Sequence, residues 1–312
     1  MNWRVKQPET VLLFSVYILT ALLPLTSDPY YIYLGALFMI ISLFSISYNI
    51  LFGNAGLLSF GHALFFAGGA YTYALFTINV LKDPLLGLFV SILISLLLSL
   101  VIGVLTLRHT KIYFSMLTLA FGMLFYALLI KWRDITGGSD GLSGLSRSGI
   151  LINLSNPVAR YYFIFLVFLV TSLFLYYIHR SQLGLLIKSL GVNEDYLPYT
   201  GHSVFKIRML ANVIAGTVAG TAGSLYAILN GAVTPDLAYW TTNAEPLVAA
   251  LIGGPKYFVG PLLGSLIYVA ITAYAAKIAD LWQFVLGTIL VALILGSRGG
   301  LIELVRRIWK RS

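Results

Sequence analysis

No cysteine occurs among the 312 residues. That excludes disulfide staples, thiolate nucleophiles and cysteine-ligated metals, and leaves the compartment open. Charge is scarce too. Only 10% of residues are charged against 59% hydrophobic, with a mean hydropathy of +0.90, whereas a soluble domain carries about a quarter charged residues. The composition therefore predicts an all-α, polytopic membrane protein. Alternation of polar and apolar residues, the mark of a membrane barrel, is also missing. Helices follow by default, because lipid offers the backbone no hydrogen-bond partner.

Acidic residues are absent from the middle of every apolar segment. Glu245, at the rim of the eighth, comes nearest, and His62, His109, His179 and His202 stand at segment ends. Buried ionisable groups mark ion and proton pathways in membranes. Without them a proton-coupled transporter, a charge-lined pore and a metal-dependent intramembrane protease are disfavoured. No carboxylate or histidine pair has ligand spacing within an apolar segment, no cofactor is implied, and no G-x-x-x-x-G-K-[ST] loop occurs. The chain is not expected to be an enzyme; energy for any work has to come from another subunit. The net charge of +9 would suggest nucleic acid in a soluble protein, but here the placement of the charges carries the information.

What is present is a run of apolar segments between short polar breaks: 11–26, 31–52, 63–81, 85–107, 112–130, 161–179, 209–229, 245–254, 259–277 and 282–296. Most approach the roughly 20 residues a helix needs to cross a bilayer. Arg4 and Lys6 precede the first as in a signal peptide, but Pro24, Thr26, Ser27 and Asp28 stand where small cleavage-site residues belong, so a retained helix is predicted. With ten crossings and both termini in the cytoplasm, fourteen basic residues fall inside, among them Arg108, Lys111, Arg180, Lys188, Lys206, Arg208 and Lys256. Six fall outside: Lys82, Lys131, Arg133, Arg147, Arg160 and Lys277. A re-entrant eighth segment would put the basic C-terminus outside, so it is counted as a true crossing. The whole of 1–312 is read as one transmembrane domain. It has an extracytoplasmic loop at 131–160, a cytoplasmic loop at 180–208 and a basic tail at 297–312, either a surface-lying amphipathic helix or a plain charged end.

Glycine is concentrated where the chain turns. "GNAGLLSFGHALFFAGGAY" begins at Gly53; Gly53 and Gly56 flank Asn54, and Gly61 and His62 open the third segment. Glycine permits close approach and unusual backbone conformations, and Asn54 and His62 could tie off free groups at the two helix ends. A tight turn and a binding site are both open. Gly253 and Gly254 predict a second such turn, an echo of the first in an internal duplication. Gly216, Gly220, Gly260 and Gly264 are spaced for close helix packing. Asn49, Ser115, Thr118, Asn212, Thr217 and Thr221 either line a polar path or bond their own and neighbouring helices.

These stretches carry a resemblance. "GLLSFGHALFFAGGAY" resembles the signature of the branched-chain amino acid permeases of bacterial and archaeal ABC importers. "LTLAFGMLFYALLIKWRDITGGSDGLSG" from Leu117 is similar to that family's fifth span and TGGxDG loop. "GLLIKSLGVNEDYLPYTGHSVFKIRMLANVIAGTVAGTAGSLYA" from Gly184 resembles its cytoplasmic loop and small-residue helix, and "AEPLVAALIGGPKYFVGPLLG" from Ala244 its closing glycine segment. The four blocks occur in family order, and the TGGxDG loop resembles the longer of the two permease subunits.

The resemblance implies a multi-pass protein of a prokaryotic cell membrane, forming a heterodimeric pathway with a second permease subunit. Two cytoplasmic ATPases would drive it, and an extracytoplasmic solute-binding protein would feed it; the bilayer is its other partner. The substrate implied is a branched-chain or other small amino acid, with urea or short amides as the alternative. The loop from Gly184 to Gly201, with Lys188, Asn193, Glu194 and Asp195, would couple to the ATPases, Glu194 and Asp195 beginning its helix. Thr136, Gly137, Gly138, Asp140, Gly141 and Glu245 are the candidate outer contacts with solute or partner. The chain departs from the family at Gly191 and Val192, where an Arg-Glu pair is usual, at Pro198, and at Lys256 and Tyr257 after the double glycine. Rival readings are a stand-alone channel for a small neutral solute, which needs no coupling loop, a sugar-type ABC permease, and an intramembrane enzyme.

Overall fold

The computed structural model describes residues 7–26, 28–109, 111–149, 151–275, 287–288 and 300–303. The tenth apolar segment and the basic tail, like Arg4 and Lys6, lie outside these residues, apart from 287–288 and 300–303.

The described residues form helices α1 (Gln7–Leu22), α2 (Pro29–Asn49), α3 (His62–Asn79), α4 (Pro84–Thr106), α5 (Lys111–Lys131), the single turn α6 (Arg133–Thr136), α7 (Pro157–Arg180), α8 (Gln182–Asn193), α9 (Val204–Asn230), α10 (Ala244–Gly253) and α11 (Gly260–Ala275). Five stretches are long and apolar enough to cross a membrane: Pro29–Asn54, Pro84–Thr106, Ile112–Lys131, Pro157–Arg180 and Val204–Asn230. The one sheet among these residues is a two-residue antiparallel ribbon, β1 (Leu142–Ser143) with β2 (Ala232–Val233), pairing Leu142 with Val233. An all-α membrane protein is what the composition required.

One code starts three helices. Asp28-Pro29, Asp83-Pro84 and Asn156-Pro157 open α2, α4 and α7, each acid or amide accepting a backbone N–H of the first turn, as Asp28 does from Tyr30 at 2.9 Å. A side-chain oxygen at the cap and proline at the first position suit a helix start. All three lie at the end of the bundle that holds the ribbon. The opposite end holds α8.

Packing centres on α2, α3 and α9, with α4 and α11 against them. The α3–α9 contact is backbone on backbone: a Cβ on Gly69 would stand 2.0 Å from the Gly220 carbonyl oxygen, so no other residue fits. Ser91, Ser95 and Ser99 of α4 are fully buried, and Ser95 and Ser99 lie against Gly220 and Gly216 of α9. Small residues on both sides let these helices close up in the way lipid-embedded helices associate. Gly264 of α11 meets the Ala249 carbonyl of α10 in the same manner.

Candidate functional site

Two passages of the chain through the bundle are interrupted, from opposite ends. Between α2 and α3 the chain leaves a π-helical turn, Ile50–Asn54, passes Gly56 at φ +68°, and runs non-helically to Gly61. This run does not stay at the surface. The Phe60 N–H donates to Thr118 Oγ1 at 3.1 Å and Ser115 Oγ donates to the Leu58 carbonyl at 2.6 Å. Thr118 stands seven residues into α5, roughly 10 Å along its axis at 1.5 Å per residue. Helix α3 therefore starts inside the bundle. Gly61 lies on α5 so tightly that a Cβ would sit 2.0 Å from the Thr118 carbonyl oxygen.

The second interruption precedes α10. From Gly231, beside Arg147 at the ribbon end, residues 231–243 descend as β2 and two 3-10 turns, Pro235–Ala238 and Trp240–Asn243. Helix α10 then covers the rest of this passage in 10 residues, about 15 Å, half the hydrocarbon thickness of a bilayer. It ends at the α8 end, where the Pro255 carbonyl accepts from Asn49 Nδ2 at 3.0 Å. The eighth segment thus runs from one end to the other, but only its second half is helix.

Asn243 joins the two interruptions. Its Oδ1 accepts the Ala63 N–H at 2.7 Å and its Nδ2 donates to the Phe60 carbonyl at 2.7 Å. The N-termini of α3 and α10 converge here. The sequence pointed to Asn54 and His62 for this tie. Instead His62 is fully buried, its Nε2 hydrogen-bonded to Ser47 Oγ at 2.9 Å and its ring stacked on Phe44. The missed signal was present: a 10-residue apolar segment, too short to cross, after a run with one proline, two aromatic and several polar residues.

Glu245 lies in the first turn of α10, at the positive end of that helix dipole, and faces the Tyr268 hydroxyl of α11. The other outer candidates make a compact turn. Thr136 Oγ1 donates to the Leu129 carbonyl at 2.5 Å, Gly137, Gly138 and Gly141 have positive φ, and Asp140 is exposed. Gly141 abuts the Val233 carbonyl, which places this turn beside the ribbon.

At the α8 end, Ser181 caps α8 through Gly184 N–H. Gly184 packs on the Ile178 and His179 carbonyls, and Lys188 Nζ lies 3.0 Å from His179 Nε2. Glu194 and Asp195 do not begin this helix. They follow it in a 3-10 turn, Glu194–Tyr196, where Asn193 Oδ1 accepts the Asp195 N–H at 3.0 Å. The apolar stripe Ile187–Leu190 sets the helix earlier, since those side chains are the ones buried. Glu194 pairs with the buried Arg208 of α9, which also reaches the Leu107 carbonyl. Pro198 opens another 3-10 turn, closed by Gly201 at φ +80°. Gly191, a departure from the resembled family, touches Gly56 and Asn54 backbone. The glycine turn after α2 is thus in contact with α8 on one side. On the other, Gly53 meets Pro255 in the turn after Gly253 and Gly254, where Gly260 packs on both.

A family model described as "Branched-chain amino acid transport system / permease component" matches residues 30–294. The chain is 27% identical over 292 residues to the high-affinity branched-chain amino acid transport system permease protein LivM of Salmonella typhimurium, covering 86% of this chain and 69% of that one. It is 26% identical over 297 residues to the LivM protein of Escherichia coli, covering 88% and 70%. A probable LivM of Methanocaldococcus jannaschii matches at 25% over 266 residues, covering 73% and 76%. No solved structure matches significantly. With a family match over most of its length, and with apolar helices built for a bilayer, this multi-pass membrane chain belongs to the permease-component family of branched-chain amino acid transport systems.

Proposed function

We propose that this chain is one permease subunit of an ATP-driven importer of branched-chain or other small amino acids. It pairs with a second permease subunit, two cytoplasmic ATPases and an extracytoplasmic solute-binding protein. The α8 end faces the cytoplasm, where Arg108, Lys188, Lys206 and Lys256 lie, and the ribbon end faces out. Residues 1–312 act as one domain of ten crossings with both termini inside.

The observation that carries this reading is the surface of α8 and the turns after it. Leu185, Val192, Tyr196 and Tyr199 are exposed, Val192 by 87% and Tyr199 by 86%, on the element that links the end of α7 to the start of α9. Such an exposed apolar patch on a polar, cytoplasm-facing loop suits a protein partner. Gly184, Lys188, Asn193, Glu194, Asp195 and Gly201 would shape this docking element. Because Gly191 rests on Gly56, a push on α8 reaches the turn between α2 and α3 directly. Non-helical backbone at membrane depth is stable only when buried in protein or lining a water-filled cavity. The interrupted crossings would therefore flank the solute path, with Glu245 inside it and the Thr136–Gly141 turn at its outer rim.

Purification of the tagged chain from its own membranes in mild detergent tests this. A second permease and two ATPases are expected with it, and Val192→Glu with Tyr196→Glu is expected to lose the ATPases while keeping the second permease. Recovery of the chain alone, with no ATPase, would contradict the importer and favour a stand-alone channel.

A further inference from the structure

Helix α8 is fastened to the bundle by contacts of two kinds. At its start Gly184 packs on the Ile178 and His179 carbonyls of α7, and further on Gly191 rests on the backbone of Asn54 and Gly56. Both are close packing of backbone on backbone. Beyond its end the contact is ionic. Glu194 pairs with Arg208, the fifth residue of α9. The arginine side chain is 8% exposed and the glutamate 32%. Arg208 Nη1 also donates to the Leu107 carbonyl at 3.4 Å, at the C-terminal end of α4, where the helix dipole favours a cation.

Along their sides α8 and α9 do not pack tightly. A cleft of about 400 Å³ lies between Leu183, Leu186 and Ile187 of α8 and Ile207, Leu210 and Ile214 of α9. A gap has no facing atoms to carry a push. The ion pair spans the two elements where that apolar contact is lacking, since Arg208 follows Ile207. Beyond Arg208 a push has somewhere to go. Asn212, one turn on, donates to the Ser99 carbonyl of α4 at 2.8 Å, and a Cβ on Gly103 of α4 would stand 2.7 Å from Met209 Sδ. Arg208 thus grips α4 and α9 where the two are already locked together.

Resting on the function proposed above, we infer that the Arg208–Glu194 ion pair is the latch by which α8 moves α4 and α9 when the ATPases close. Without it a displaced α8 acts only through Gly184 and Gly191, on α7 and on the turn between α2 and α3. The guanidinium suits the task, because its planar fork fixes a carboxylate in direction as well as in distance. Burial of the arginine keeps the pair from being screened as a surface pair is. Both are positioning residues: they hold one element against another and do not touch the solute.

The test uses the complete importer in proteoliposomes, with radiolabelled leucine and its binding protein, and reads leucine moved per ATP hydrolysed. Arg208→Met, which keeps the length and removes the charge, is expected to lower that ratio about tenfold, the size of one lost charge-assisted contact. Arg208→Lys is expected to restore most of it, and the exchanged pair Glu194→Arg with Arg208→Glu to restore part. A purely structural pair lowers the yield of folded complex and leaves the ratio of each assembled complex at the wild-type value. Co-purification of all subunits shows assembly. If Arg208→Met does not assemble, Glu194→Gln, changed at the half-open end of the pair, decides in its place, with a severalfold fall expected. A wild-type ratio in the assembled variant would overturn the latch alone. A wild-type complex that moves urea or a short amide but no amino acid would overturn the functional reading, and the latch with it.

Discussion

The two interrupted passages through the bundle use one device for different ends. The run 55–61 is sealed: Ala55, Leu57, Ser59 and Gly61 are buried, and its polar groups are taken by Ser115, Thr118 and Asn243. The run 231–243 is open: Thr234, Asp236, Trp240 and Thr241, with Ala244 after them, are exposed although they lie between the two ends of the bundle. Backbone that has left the helix at membrane depth must find partners. The first run finds them in protein. The second presents a polar, aromatic face, and only water or a partner subunit satisfies it.

If the first run is a seal, crowding it is the most damaging change available. Gly61→Val would drive a side chain into the Thr118 carbonyl, a clash with backbone that no rotamer relieves. The expected result is loss of folded protein, a penalty of about 3 kcal/mol or more, seen as aggregation on size-exclusion chromatography. The matching change on the open run, Thr241→Val, is expected to leave the elution profile of wild type. Asn243→Ala sharpens the link between the runs. It strips partners from the Ala63 N–H and the Phe60 carbonyl, each costing about 1–3 kcal/mol when buried. A lowered melting temperature in detergent is expected. Asn243→Asp, which still accepts from Ala63 but cannot donate to Phe60, should fall between the two.

Much of this architecture was legible. The nine apolar segments that fall among the described residues coincide with helices, because hydrophobic length is a local signal. The α3–α9 contact was half legible: Gly216 and Gly220 have packing spacing in the sequence, but their partners, Gly69 and the α4 serines, are set by tertiary approach. The interruption before α10 was hidden, since its residues read as an ordinary outer loop and only the shortness of 245–254 betrayed it. Asn243 was invisible for the same reason, its role being defined by a residue 180 positions away. The helix α8 was placed too late along its loop. The acids suggested a start, while the buried stripe that fixes the helix precedes them.

The absence of cysteine makes the central comparison directly measurable. Single cysteines at Thr241, Ala244 and Val170 can be introduced with no background thiol. The assembled importer in sealed, right-side-out vesicles is then exposed to a membrane-impermeant thiol reagent, with and without ATP trapping. Thr241→Cys and Ala244→Cys are expected to label from outside in at least one of the two states, and Val170→Cys, on the lipid face of α7, in neither. Silence at both Thr241 and Ala244 in both states would mean that the open descent faces no water, and would contradict its place on the solute path.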